Sequence, residues 1–194
     1  MAEKGLDWGG WGYEDDLANA IIHAVDAGAD ILSNSWGGYG ESVLIHEAVE
    51  YACTHGVLVI AAAGNDATSM KLYPAAYDEV VAVTATDESD YPAWWTNFGD
   101  WVELAAPGVN IYSTVWNNNY TYMSGTSMAT PHVAGVAALI WSRFPNATGD
   151  WLRLWLRYTA DDLGDPGFDV YYGYGRINAR RAIEEAPPEH DLLI

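Results

Sequence analysis

The sequence predicts an α/β domain of three layers, a mainly parallel sheet with helices on both faces. Three observations carry this. Strand-like and helix-like patterns alternate along the chain. The strand-like runs around Ile31–Leu32 and Val57–Ala63 are apolar without an in–out alternation, as expected of strands covered on both faces. Each of those runs ends in a polar or glycine-rich turn, the short connection typical of such layers.

Residues 14–27 read as the first helix, with Leu17, Ala20, Ile21, Ala24 and Val25 on one face and Gly28 ending it. A strand follows from Asp30, then a helix over 41–55 and a second strand over 57–63. Further strands are expected near 80–85 and 101–105, and a hairpin pairs 110–115 with 120–123 across Asn117-Asn118-Asn119. Ser127 opens the longest helix, which stops before Pro145; Pro131 is tolerated near its first turn. Its small residues Ala134, Gly135, Ala137 and Ala138 are expected to let it approach the sheet. Helices over 148–158 and 178–185 complete a domain of residues 1–186. Pro187-Pro188 begins a proline-rich acidic tail over 187–194.

At 194 residues, half of them apolar, the chain is long enough to bury a core without a second domain. Its 27 acidic and 8 basic residues give a net charge of −19, which excludes nucleic-acid binding because phosphate contacts need a basic patch. The same excess suits a secreted or salt-adapted surface. Met1-Ala2-Glu3-Lys4 does not read as a leader peptide, and the longest apolar run, Val133 to Trp141, falls short of the roughly 18 residues a membrane span requires. Cys53 is the single cysteine, so no internal disulfide exists, and its apolar helical setting predicts an inert thiol.

The chemistry concentrates in Gly125-Thr126-Ser127-Met128-Ala129-Thr130-Pro131-His132-Val133-Ala134-Gly135. A serine hydroxyl is a poor nucleophile near neutral pH and needs a base and donors for a developing oxyanion. The N-terminus of a helix supplies free N–H groups and positive dipole character at that place. Ser35, Gly64 and Asn65 fall at the carboxyl ends of strands, where open parallel sheets bind ligands. A plain helix-capping serine is the competing reading of Ser127.

The run around Ser127 resembles the nucleophile motif of the subtilisin-like serine endopeptidases, the subtilases. Ile31-Leu32-Ser33-Asn34-Ser35-Trp36-Gly37-Gly38, Val57 to Asn65, Tyr73-Pro74-Ala75-Ala76-Tyr77, Leu104-Ala105-Ala106-Pro107-Gly108 and Tyr171 to Asn178 resemble further blocks of that family, in the family's order. The resemblance implies an oxyanion hole formed by the Asn65 side chain and the Ser127 backbone N–H. It implies that Ser35-Trp36-Gly37 and an edge strand at Gly10-Trp11-Gly12 sandwich an extended polypeptide substrate, with Trp36 lining an apolar subsite. Ala62-Ala63-Gly64 would wall the primary pocket and Leu72 would lie at its floor, shortening it. No cofactor is required on this reading. Calcium is a family possibility with no fixed ligands, Asp66, Asp87, Asp90, Asp165 and Asp169 being candidates.

The family's acid and base blocks are not found. Asp7-Trp8-Gly9 mimics the acid's context without a preceding apolar strand, and no His-Gly-Thr-His occurs. His23, His46, His55, His132 and His190 all read as structural or surface residues, His132 because five residues of helix turn it to another side than Ser127. The expectation is therefore the later part of a subtilase catalytic domain, with an N-terminal segment bearing the Asp and His as its missing partner. Without it, an unpaired apolar sheet edge is expected. The function implied is peptide-bond hydrolysis through an acyl-enzyme; the alternative is an inactive subtilase-derived peptide-binding module.

Overall fold

The computed structural model describes residues 1–185, so the tail predicted from 187 lies outside the described residues. Helix α1 (Glu14–Asp26) begins with Glu14, Asp15 and Asp16, whose charges favour the positive helix end, and stops at Gly28, whose φ of +84° suits glycine alone. Strand β1 (Ile31–Asn34) follows. Helix α2 (Val43–Thr54) is capped by Ser42, whose Oγ accepts from the Ile45 N–H at 3.4 Å. Strands β2 (Leu58–Ala62), β3 (Val81–Thr86) and β4 (Leu104–Pro107) then complete a four-stranded sheet.

All three pairings are parallel, in the order β1-β2-β3-β4, with Leu32 opposite Val59, Ala61 opposite Ala82 and Thr84 opposite Ala105. Every residue of β2 and β3 is buried, which explains why those segments show no polar alternation. Strand β4 lies three residues later than expected. The Val102 N–H turns back to the Gly99 carbonyl, and Trp101 packs across Gly99, so 99–102 are spent on a turn.

Strands β5 (Ile111–Val115) and β6 (Asn119–Met123) form the expected antiparallel hairpin, its turn made by Asn117 and Asn118 at φ of +60° and +58°. Helix α3 (Thr126–Arg143) starts one residue before Ser127, with Gly125 as its cap. Its sheet-facing side is Ala129, Val133, Val136, Ala137 and Ile140, whereas Gly135 and Ala138 face solvent, because the 100° step per residue carries them round the helix. Helices α4 (Gly149–Tyr158) and α5 (Ala179–Glu184) follow.

Two cores result, one on each face. Helices α1 and α2 cover one side through Leu17, Ile21, Val25, Ile45, Val49 and Ala52. Helices α3, α4 and α5 cover the other around Val133, Ile140, Leu152 and the fully buried Trp155. Among the described residues β1 pairs only with β2. Its outer edge borders a cleft of 650 Å³ between the first six residues, α1 and Trp36.

Candidate active site

Three chain segments meet where the carboxyl ends of β1 and β2 face the start of α3. Thr126, fully buried, is the joint between them. Its N–H donates to Asn65 Oδ1 at 2.8 Å, its hydroxyl donates to the same oxygen at 3.0 Å, and that hydroxyl accepts from the Gly64 N–H at 3.1 Å. The Asn65 carboxamide is thereby oriented through its oxygen. Its Nδ2 donates to no acceptor among the described residues, and the same holds for the Ser127 N–H in the first turn of α3. Both donors lie close to Gly125, where a Cβ would come 3.6 Å from the Ser127 nitrogen and 3.8 Å from Asn65 Nδ2, at a helix terminus whose dipole favours negative charge.

Ser127 is tied to β1. Its Oγ donates to the Ser35 carbonyl at 3.3 Å, and Ser35 Oγ donates to the Ser127 carbonyl at 2.9 Å. The second bond follows from Pro131, which sits inside α3 and has no N–H to offer the carbonyl four residues earlier. Ser35 supplies the donor that the helix lacks. No histidine bonds to Ser127 among the described residues. His132 and Ser127 both line a cavity of 350 Å³, together with residues of β5 and β6. His132 Nδ1 lies 2.8 Å from the Met128 carbonyl and therefore donates to it.

The wall residues Ala62, Ala63 and Gly64 are buried, and Gly64 has a φ of +105°. Leu72 is buried against both Gly37 and Gly64. A Cβ on Gly37 would come 2.8 Å from Leu72 Cδ2, and one on Gly64 would come 3.0 Å from the same atom. The loop carrying Leu72 is held there by a two-way bridge, Gly38 N–H to the Tyr73 carbonyl at 2.9 Å and Tyr73 N–H to the Gly38 carbonyl at 2.8 Å. The Tyr73–Pro74 peptide is cis. Trp36 is half-buried and packs on the α1–α2 side, bordering the cleft beside β1.

Gly10-Trp11-Gly12 is not an edge strand. Asp7 Oδ1 accepts from the Gly9 and Trp11 N–H groups at 2.8 and 3.0 Å, and the Asp7 N–H donates to the Trp11 carbonyl at 2.7 Å, closing a turn over 7–11. These backbone hydrogen bonds hold the Asp7 carboxyl below the usual carboxylate range. Gly10 adopts a φ of +79°, Trp11 is 78 % exposed, and Gly12 rests against Gly5, Leu6 and Leu17.

Among the described residues, none of the aspartates named for calcium belongs to a group of three acidic, histidine or cysteine donors within 4.8 Å of one another, although Asp169 Oδ2 is buried without a partner. Asp66 accepts from the Tyr39 hydroxyl, Asp87 caps Ser89 and Tyr91, Asp90 pairs with Arg176, and Asp169 Oδ1 accepts from Tyr171 and Tyr172. These side chains do not fit a shared calcium site, and no step below involves one.

Asn97 is a residue the sequence reading missed. Fully buried, it donates through Nδ2 to the Ala63 carbonyl at 2.9 Å and accepts through Oδ1 from the Asp66 and Thr68 N–H groups at 2.9 and 3.3 Å. Its own N–H donates to the Gly64 carbonyl at 2.9 Å. It thus grips the loop carrying Asn65 from below.

A parallel three-layer sheet with a serine on the first turn of a helix, facing the strands' carboxyl ends, is the architecture of an α/β serine hydrolase. The chain belongs to the subtilase family, whose model matches residues 2–175. A thermophilic serine proteinase of Bacillus sp. (strain AK1) is 44 % identical over 183 residues, covering 94 % of this chain and 45 % of that protein. The halolysin-like extracellular serine protease Nep of Natrialba magadii is 44 % identical over 191 residues, covering 98 % of this chain and 35 % of that protein. The chain thus spans less than half of either relative. The crystal structure of a lanthipeptide protease superposes with a TM-score of 0.87 at 28 % identity, over 94 % of this chain and 68 % of that one. No helix among the described residues is long and apolar enough to cross a membrane.

Proposed function

We propose that this chain carries the nucleophile, oxyanion hole and substrate cleft of a secreted serine endopeptidase. Ser127 attacks the carbonyl carbon of a bound polypeptide, and the oxyanion forms against Asn65 Nδ2 and the Ser127 N–H. The hydroxyl proton goes to a histidine, oriented by an aspartate, on a complementing segment outside these residues. The imidazolium returns that proton to the departing amine as the C–N bond breaks, and water then hydrolyses the acyl-enzyme. The observation that carries this reading is the pair of unspent donors: Thr126 fixes Asn65 by its oxygen, leaving the amide nitrogen unbonded next to Ser127. The free edge of β1 and the 650 Å³ cleft beside it offer the segment a place to add as a strand. Ser35, Trp36 and Gly37 bind the substrate backbone, and Leu72, filling the space between Gly37 and Gly64, restricts the primary pocket to small side chains.

A second reading has its own support. The Ser127 hydroxyl donates to the Ser35 carbonyl and to no base, as in a peptide-binding module without turnover. A fluorophosphonate probe separates the two. Labelling of Ser127 that appears only after adding a segment with the Asp and His blocks supports the endopeptidase. Absence of labelling in both states, with a peptide still bound, supports the module.

A further inference from the structure

On the opposite face of the molecule's chemistry, α2 presents His46 and Glu50 one turn apart toward Glu79, in the turn that feeds β3. One donor atom from each of the three lies within 4.8 Å of the others, and His46 Nε2 is 3.4 Å from Glu79 Oε2. We infer that His46, Glu50 and Glu79 form a binding site for a divalent first-row transition ion such as zinc, clamping α2 to the turn before β3.

Bonds of about 2.0–2.2 Å place neighbouring donor atoms roughly 3–3.5 Å apart, which the His46–Glu79 pair already satisfies. Glu50 is exposed, so its carboxylate closes the remaining distance by a side-chain rotation. The imidazole is held ready. Its ring stacks on Tyr77 at 4.1 Å between centroids and 2° between planes, and the Tyr77 hydroxyl is itself fixed by the Ser42 carbonyl at 2.9 Å and the Ser42 N–H at 3.1 Å. The charge of the site is unanswered: among the described residues Glu50 has no ion-pair partner, and Glu79 has His46 alone. An imidazole nitrogen with two carboxylates selects zinc-like ions over calcium, which takes oxygen ligands. Cys53, one turn beyond Glu50, directs its Sγ to the Glu79 carbonyl at 3.9 Å and stands outside the donor set. The site is independent of Ser127 and of the function proposed for it.

The test uses the full, untagged, metal-free chain titrated with zinc chloride by calorimetry, alongside thermal melts. The wild type is expected to take up one equivalent at this site and to melt higher with zinc. Glu50→Gln, at an exposed position that leaves the fold intact by circular dichroism, should weaken uptake about tenfold or more, and His46→Gln should abolish it together with the melting shift. His55→Gln should change neither. The proposal is overturned if the wild type shows no saturable uptake, if a His46→Gln/Glu79→Gln double variant binds zinc as the wild type does, or if equimolar calcium displaces the zinc.

Discussion

Asn97→Ala removes a side chain that touches no substrate in the proposed mechanism, yet it should damage the loop on which that mechanism rests. Three backbone groups lose their partner: the Ala63 carbonyl, and the N–H groups of Asp66 and Thr68. At about 1 kcal/mol net for each buried hydrogen bond, the loss is about 3 kcal/mol, a large share of a domain's typical stability of about 5–15 kcal/mol. For a chain of this size that lowers the melting midpoint by roughly 6–12 °C. The contact to the exposed Tyr39 hydroxyl adds little, because water replaces it. Asn97→Asp keeps both acceptor bonds but sets a carboxylate oxygen against the Ala63 carbonyl, so it should destabilise as well. Differential scanning calorimetry and urea titration measure both variants. A midpoint for Asn97→Ala within about 2 °C of wild type would show that the loop holds itself, and the account of Asn97 would be wrong.

In the complemented protease, Asn65→Ala should lower turnover about 10²–10³-fold with Michaelis constant little changed, a magnitude carried over from the same amide in related subtilases; a loss of less than threefold would remove Asn65 from the oxyanion hole. Cys53, pushed up to about 11 mainly by burial and then by Glu79, should react with a thiol reagent at pH 8 about a hundredfold more slowly than in urea; equal rates would place the thiol in solvent. Asp161 is held below the usual carboxylate range: burial raises it, and the hydrogen bonds and charges of Asn178, Arg176 and Arg181 outweigh that. Its folded pKa being depressed, its contribution is complete above the unfolded value of about 3.9 and is lost as pH falls below it. Asp161→Asn should therefore flatten the fall in urea midpoint between pH 5 and pH 3. Arg153 and Arg157 are committed to buried Glu103, and Arg176 to Asp90 and Asp161, which leaves few cations to offset the net charge of −19. The melting midpoint should accordingly rise between 0.05 and 1 M NaCl, and a flat profile would refute self-repulsion as a cost to this fold.

The parts of the fold legible in the sequence were those whose signal is local. The glycine stop at 28, the Asn117-Asn118 turn and the buried runs of β2 and β3 each announce themselves within a few residues. What escaped depends on contacts far along the chain. Asn97, between Thr96 and Phe98, looks like any turn residue, and only the packing of its loop under Ala63 and Gly64 brings it against Ala63, Gly64, Asp66 and Thr68. Gly10-Trp11-Gly12 misled because the family pattern outweighed Asp7, whose carboxylate organises the turn around them. The His46, Glu50 and Glu79 cluster was invisible for the reason that hides Asn97. Two members share a helical face, and the third arrives from a turn nearly thirty residues on.

Pro131 shows how the sequence positions Ser127, the proposed nucleophile, where no histidine bonds to it among the described residues. A proline inside a helix costs about 3 kcal/mol because it denies one carbonyl its donor and crowds the preceding turn. Here the carbonyl denied belongs to Ser127, and the replacement donor is Ser35, at the end of β1. The defect in the helix therefore becomes the joint between helix and sheet, and it lies at the residue whose position matters most. Replacing Pro131 by alanine would restore the helical N–H and let Ser127 bond within α3, so Ser35 would lose its exclusive partner. Pro131→Ala should therefore raise the melting midpoint while lowering the labelling rate of Ser127 in the complemented protein. A variant that gains stability and labels as fast as wild type would separate the proline from the alignment of the nucleophile.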